Sequence, residues 1–398
     1  MSFLDVIILI VKCLIVALAA TTLFAYFTLF ERRLLARFQH RIGPNRAGPG
    51  GFLQPLADAV KLFFKETIMP DKADRWVYIV SPAFAVIPAI IIWATIPLGY
   101  WPYGDGNWLQ VADVSVGILY LLAITSLGVY GIAIAGWASN NKYSMLGGVR
   151  ASAQVISYEL AFGLSVLAVV MQAGTMSTGG IVDAQKGFWF IIPQFLGFVI
   201  FLVASTAEVV RAPFDLVEAE QELVGGYNTE YGSMNFALFF MSEYIKLVAM
   251  NAIAVTLFFG GWNFPGLDAL RDGVSAIAGA NIGLAIAGLA SLGAFLLKVT
   301  VLSFLSVWVR ATIPRTRYDQ LMRLGWKVLL PLALFNVALT AVVNVLVPDN
   351  RLIAGLILFV IGVIAVVVVT SRSGTRKPAS EITLVSNRVQ TAGEQTHA

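Results

Sequence analysis

Nine long apolar runs decide what this chain can fold into: residues 4 to 28, 76 to 98, 113 to 137, 153 to 173, 189 to 207, 236 to 259, 281 to 306, 327 to 346 and 351 to 370. Most reach the roughly 20 residues a helix needs to cross a bilayer core about 30 Å thick. Inside lipid every backbone N–H and C=O must be satisfied within the protein, so runs of this length are read as helices. The expected fold class is an all-α polytopic membrane protein of about nine transmembrane helices plus an amphipathic cytoplasmic helical segment. Composition agrees, since charged residues make up only 13% of the 398 against roughly 25% in soluble domains. Asp5 stands where a signal peptide would carry basic residues, so the first run is read as a retained helix.

Charge between the runs sets the orientation. Of 27 basic residues, 21 fall in connections on one side of the membrane, and only Lys186, Arg271 and Arg351 lie on the other. Lys12, Lys246 and Lys298 sit inside apolar runs. The positive-inside rule then predicts an extracytoplasmic N-terminus and a cytoplasmic C-terminus. The organisation follows: 1–28 a first transmembrane helix, 29–75 an amphipathic cytoplasmic segment, 76–207 helices two to five, 208–235 an acidic cytoplasmic loop, 236–370 helices six to nine, and 371–398 a polar, disordered cytoplasmic tail. Because the basic residues are dispersed between runs, a nucleic-acid partner is not expected despite a net charge of +4.

One cysteine, Cys13, and two histidines, His40 and His397, exclude several chemistries. A cysteine-ligated iron–sulfur cluster, a CxxC zinc site and a bis-His haem each need more ligands than the chain has. No redox centre is expected within it.

Two cytoplasmic segments depart from ordinary loops. In Glu31 to Arg75, Phe52, Leu56, Val60, Phe63 and Phe64 recur at helical spacing, which predicts a helix lying in the interface. Taken alone, this pattern favours a surface anchor. The connection from Glu208 to Glu230 carries Glu208, Asp215, Glu218, Glu220, Glu222 and Glu230 against Arg211 alone. Helical spacing would set Glu218 and Glu222 one turn apart, where like charges favour proton sharing. A solvated acidic loop facing a basic partner fits that composition equally well. Two further acids, Glu159 and Glu243, lie inside apolar runs, where a carboxylate defaults to an ion path or a protein-facing pair. Lys246 stands three residues after Glu243 and could pair with it on the same helix face, so the sequence leaves open whether Glu243 is held in a pair or carries protons. Glu159 has no basic neighbour nearer than Arg150, so its partner is expected on another helix, or is a proton.

At these residues the chain resembles a known family. The strings Glu31-Arg32-Arg33-Leu34-Leu35, Arg41-Ile42-Gly43-Pro44-Asn45-Arg46, Gln54-Pro55-Leu56-Ala57-Asp58 and Gly136-Trp137-Ala138-Ser139-Asn140 are similar to the NuoH family, the quinone-site membrane subunits of bacterial respiratory complex I. So are Ile156-Ser157-Tyr158-Glu159, Arg211-Ala212-Pro213-Phe214-Asp215, Glu218 to Leu223, Phe239 to Tyr244, and Trp308 to Ala311 with Arg317 to Leu321. The family pattern leads one to expect small polar residues where Val209 and Val210 stand and a proline where Val217 stands.

The resemblance implies a membrane subunit of proton-pumping NADH:quinone oxidoreductase in the bacterial inner membrane. It implies quinone, ubiquinone or menaquinone, as substrate, with no flavin, haem or iron–sulfur cluster in this chain. Implied partners are the hydrophilic quinone-site and terminal iron–sulfur-cluster subunits and adjacent small membrane subunits. Carried over by position, Arg32, Arg41, Asp58 and Arg310 would line the quinone chamber. Glu159, Glu208, Asp215, Glu218, Glu220, Glu222, Glu230 and Glu243 would form the start of a charged path for protons. The homologous membrane subunit of an energy-converting hydrogenase or formate hydrogenlyase is the alternative reading.

Overall fold

A computed structural model describes residues 3–100, 109–216, 224–278, 280–347 and 351–374. Among them are thirteen α-helices and no strand. The helices are α1 Phe3–Phe38, α2 Gln54–Phe64, α3 Arg75–Ile91, α4 Gly117–Ala138, α5 Lys142–Ala173, α6 Thr178–Ala184, α7 Phe195–Glu208, α8 Ser233–Phe258, α9 Leu267–Ala278, α10 Ala280–Thr312, α11 Tyr318–Leu324, α12 Leu330–Leu346 and α13 Arg351–Gly374. Eight of the described helical stretches are long and apolar enough to cross a membrane, and the chain is a multi-pass membrane protein. The shorter α7 is also apolar; its 14 residues span about 21 Å.

Several helices differ in extent from their apolar runs, for identifiable reasons. Helix α1 continues to Phe38 rather than stopping at residue 28, which places Glu31, Arg32, Arg33 and Arg37 on its last turns. The run loses hydropathy at Glu31, but Leu, Ala and Arg are strong helix formers and carry the helix on. Only Gln54–Phe64 of the 29–75 segment is then a separate amphipathic helix, and its Leu56, Val60, Phe63 and Phe64 are exposed, as an interfacial face requires. Helix α7 begins later than residue 189, after a turn around Pro193 in which Ile191 N donates to Phe258 O. Helix α5 begins earlier, at Lys142, because Asn141 caps it by accepting from Tyr143 N. A single π-helical turn, Gly325–Leu329, joins α11 to α12. Residues 371 to 374, expected in the tail, end α13; the rest of the expected tail lies outside the described residues.

The core is built around α5 and α8. From Tyr244 to Phe258 the α8 side chains are buried with few breaks, against Phe162 and Val166 of α5 and Phe201 and Ala204 of α7. Close approach of α4 to α3 depends on Gly131, where a Cβ would stand 2.7 Å from Ala85 N. Helix α1, by contrast, is mostly exposed along its apolar length and meets the bundle through Phe24 and Phe27 against Tyr244.

Candidate functional site

The charged groups collect where α1, α7, α8 and α10 meet, and the end of α7 explains how. Val210 N donates to Ala207 O and Arg211 N to Thr206 O, the paired bonds of a Schellman cap, with Val210 at φ 60. That left-handed position normally takes Gly or Asn, and a β-branched residue there is strained. It is one of the two positions where small polar residues were expected. Val210→Asn should therefore raise stability by up to about 1 kcal/mol, read as a higher thermal midpoint in detergent; a lowered midpoint would mean that packing of the valine outweighs its backbone strain.

Beyond that cap the chain turns inward. Gln154 Nε2 of α5 donates to both Ala207 O and Phe214 O at 2.9 Å, pinning the connection on either side of Arg211. Arg211 is 6% exposed. Its NH1 donates to both carboxylate oxygens of Glu31, at 2.9 and 3.0 Å, its Nε faces Glu243, and the guanidinium lies 3.9 Å from the ring centre of Tyr244. Arg310 of α10 closes on Glu31 as well. Burial opposes the charge on Arg211, but Glu243 and Glu31 hold its pKa above the ordinary arginine value, so it stays cationic.

Lys246 does not pair with Glu243, one of the two alternatives that helical spacing had left open. Its Nζ lies 3.0 Å from Glu208 Oε1 at the end of α7. The reason is competition: the guanidinium fork of Arg211 serves two carboxylates at once, which leaves the lysine to Glu208. The oxygens of Glu208 accept no well-aligned hydrogen bond, so the ion pair is their compensation. Glu208, Ser242, Glu243 and Lys246 line one small cavity of about 50 Å³ between α3, α4, α5 and α8.

The remaining acids are distributed around this cluster. Glu159 accepts from the Ser126 hydroxyl of α4, the partner on another helix that its sequence context called for. It also faces an apolar groove of about 460 Å³ with Leu122 and Leu160. Glu230 accepts from Asn141 Nδ2 at 2.6 Å, while its backbone oxygen accepts from Tyr78. Asp215 lies close enough to Glu243 for their charges to interact. Glu218, Glu220 and Glu222, and Val217, lie outside the described residues.

Of the four expected chamber residues, two meet each other. Arg32 NH1 donates to Asp58 Oδ2 at 2.6 Å, and Gln54 Nε2 donates to the other oxygen of that carboxylate. Both residues line a cavity of about 680 Å³ between α1, α2 and α8, walled by Phe24, Phe63, Phe64, Phe236, Phe240 and Met241 among others. Arg41 faces a separate basic cavity with Arg33, Arg37 and His40, and Arg310 belongs to the Glu31 cluster. Sequence reasoning placed none of Glu31, Arg211, Tyr244 and Lys246 in the chamber or the proton path. The signal available for Glu31 was an acid at the edge of an apolar run.

The arrangement is a lateral, aromatic-lined cavity ending at one ion pair, beside a buried chain of further ion pairs. A family profile described as NADH dehydrogenase matches residues 11–341. The chain belongs to this family. Its relatives include the H-type subunit of NADH-quinone oxidoreductase from Rhodospirillum rubrum, 51% identical over 336 residues, covering 84% of this chain and 93% of the relative. The corresponding NADH-quinone oxidoreductase proteins of Deinococcus deserti and Geobacter metallireducens are 50% and 47% identical. Those alignments each cover 85% of this chain, with 84% and 96% of the respective relatives. The match spans α1 through most of α12, so the lateral cavity and the ion cluster both lie within the NADH dehydrogenase family region.

Proposed function

We propose that this chain is the membrane subunit of a bacterial NADH:quinone oxidoreductase that admits quinone from the bilayer and begins the charged path coupling quinone reduction to proton translocation. The observation that carries the reading is the lateral cavity. Its volume falls in the range of small-molecule sites, roughly 300 to 1,000 Å³, and its aromatic walls suit an isoprenoid quinone. Polarity is confined to a few groups, chiefly Arg32, Asp58 and Lys61, which suit a headgroup while the apolar walls suit its tail. Arg41, with Arg33 and Arg37, supplies the basic surface beyond, where the hydrophilic subunits that carry the electron donor would dock. The orientation is N-terminus extracytoplasmic and C-terminus cytoplasmic, in the inner membrane, alongside small membrane subunits.

The chemistry asked of this chain is electrostatic. Reducing a quinone adds negative charge that protons or moving neighbouring charges must compensate. Buried Glu31 and Arg211, with partly buried Glu243 and half-buried Arg310, form a chain of pairs whose occupancy shifts together when one member changes charge. From there Glu208, Lys246 and Glu159 extend the path through the bundle, with Asp215, Glu218, Glu220, Glu222 and Glu230 on the cytoplasmic side.

The test is the ion pair at the cavity. Arg32 and Asp58 are partly exposed, so separating them costs at most about 1 kcal/mol of stability. Arg32→Ala and Asp58→Asn should leave the assembled complex and its NADH oxidation with an artificial acceptor intact, while quinone reductase activity falls several-fold. Loss of assembly in both variants would make the pair an anchor of α2, and unchanged quinone kinetics would remove the cavity from the route.

A further inference from the structure

Glu208 and Glu243 share a cavity, and one flexible cation stands between them. Lys246 is three residues after Glu243 on α8, one helical turn away, and its ammonium presently serves Glu208. Glu243 does not depend on it, because Arg211 holds Glu243 together with Glu31. Nor would Glu31 and Arg211 be stranded if Glu243 changed partner, since they hold one another through two hydrogen bonds and Arg310 closes on Glu31 too. Of the residues lining the shared cavity, Lys246 is the one cation among those described. The cavity's 50 Å³ exceeds what a water molecule or a repositioned ammonium needs. Lysine suits such movement, being a compact charge on a four-carbon stem with three rotatable donors, whereas arginine is a rigid fork.

We propose that Lys246 is an exchangeable counter-charge whose ammonium moves between the carboxylates of Glu208 and Glu243, and so sets whether Glu208 is ionised or protonated during quinone turnover. The inference rests on the coupling role proposed above. With the ammonium on Glu208 both carboxylates are ionised, Glu243 against Arg211; when the ammonium moves to Glu243, Glu208 loses its cation and takes up one proton from the path. Glu208 thus gains one proton as the ammonium leaves and gives it up when the ammonium returns. Lys246 is in this sense a positioning residue for the proton path.

Lys246→Arg separates exchange from a fixed pair. In the assembled complex in membrane vesicles, arginine keeps the charge and grips Glu208 through its fork. Exchange therefore predicts normal assembly on a native gel with quinone-linked proton pumping down at least fivefold. A fixed structural pair predicts normal pumping, and that result would overturn the proposal. A double-mutant cycle gives the second reading. Lys246→Met and Glu243→Gln should each slow pumping, and the double variant should be no slower than the slower single, because both remove the same exchange. Multiplying effects would show that Lys246 never visits Glu243. If Lys246→Met alone fails to assemble, Lys246→Met with Glu208→Gln leaves neither charge unpaired; pumping restored in that double variant would again mark a structural pair. Full pumping in both Glu208→Gln and Glu243→Gln would instead fail the coupling role itself, an outcome distinct from failure of the exchange.

Discussion

Arg211→Met is expected to remove most of the assembled protein from the membrane. The methionine fills much of the same space, but it leaves Glu243 without its cation and Glu31 with Arg310 alone. Breaking a buried pair by deleting one partner costs about 3 to 5 kcal/mol, which corresponds to a 100-fold or greater fall in the folded-to-unfolded ratio at about 1.4 kcal/mol per factor of ten. The measurement is the amount of complex on a native gel at fixed expression. The same substitution combined with Glu243→Gln should recover part of that amount, since the second change removes the stranded charge. Normal accumulation of the single variant would mean that α7 is held by its contacts to Gln154 and that the cation is dispensable for folding.

Glu159→Gln should give the largest kinetic effect without such a loss. Its carboxylate accepts from Ser126, and a glutamine side-chain oxygen accepts the same hydroxyl, so the α4–α5 contact persists. What disappears is the titrating group. Positioned proton-transfer groups contribute roughly 10²- to 10⁴-fold to the steps they serve, so quinone-linked turnover and pumping should fall at least tenfold with assembly unchanged. Ser126→Ala is the companion measurement: it removes the hydrogen bond, keeps the carboxylate, and should slow turnover far less. Equal, slight effects from the two variants would assign Glu159 to helix packing.

Which parts of this were legible in the sequence follows from what each signal measures. Hydropathy marks where lipid begins and ends, and it located the spanning helices. It does not mark where a helix ends, so α1 was read short: Glu31, Arg32 and Arg33 leave the hydrocarbon but stay helical. Local spacing offers neighbours on one helix, and for Lys246 it could offer Glu243 but not decide, because the choice was made by Arg211 on another segment. The ion cluster joins residues 180 and 279 positions apart, and nothing in a single chain announces those pairings. Charge inside an apolar run did single out Glu159 and Glu243, since a carboxylate in lipid demands a partner wherever it comes from. The cap at Val210 shows the reverse case, in which an unexpected residue type was visible but its backbone conformation was not.

The length of α1 makes the bilayer itself a variable of this protein. Its apolar length from Val6 to Phe30, broken only by Lys12, spans about 38 Å as a helix, more than a hydrocarbon core of about 30 Å. Such a mismatch is relieved by tilting or by local thickening of the membrane, and few core contacts restrain the outer half of this helix. Since α1 is also one wall of the lateral cavity, its inclination sets the width of the gap against α8. Under the proposed entry route, acyl-chain length would act on that same opening, so thicker and thinner membranes would present a lipid-soluble substrate with different doorways.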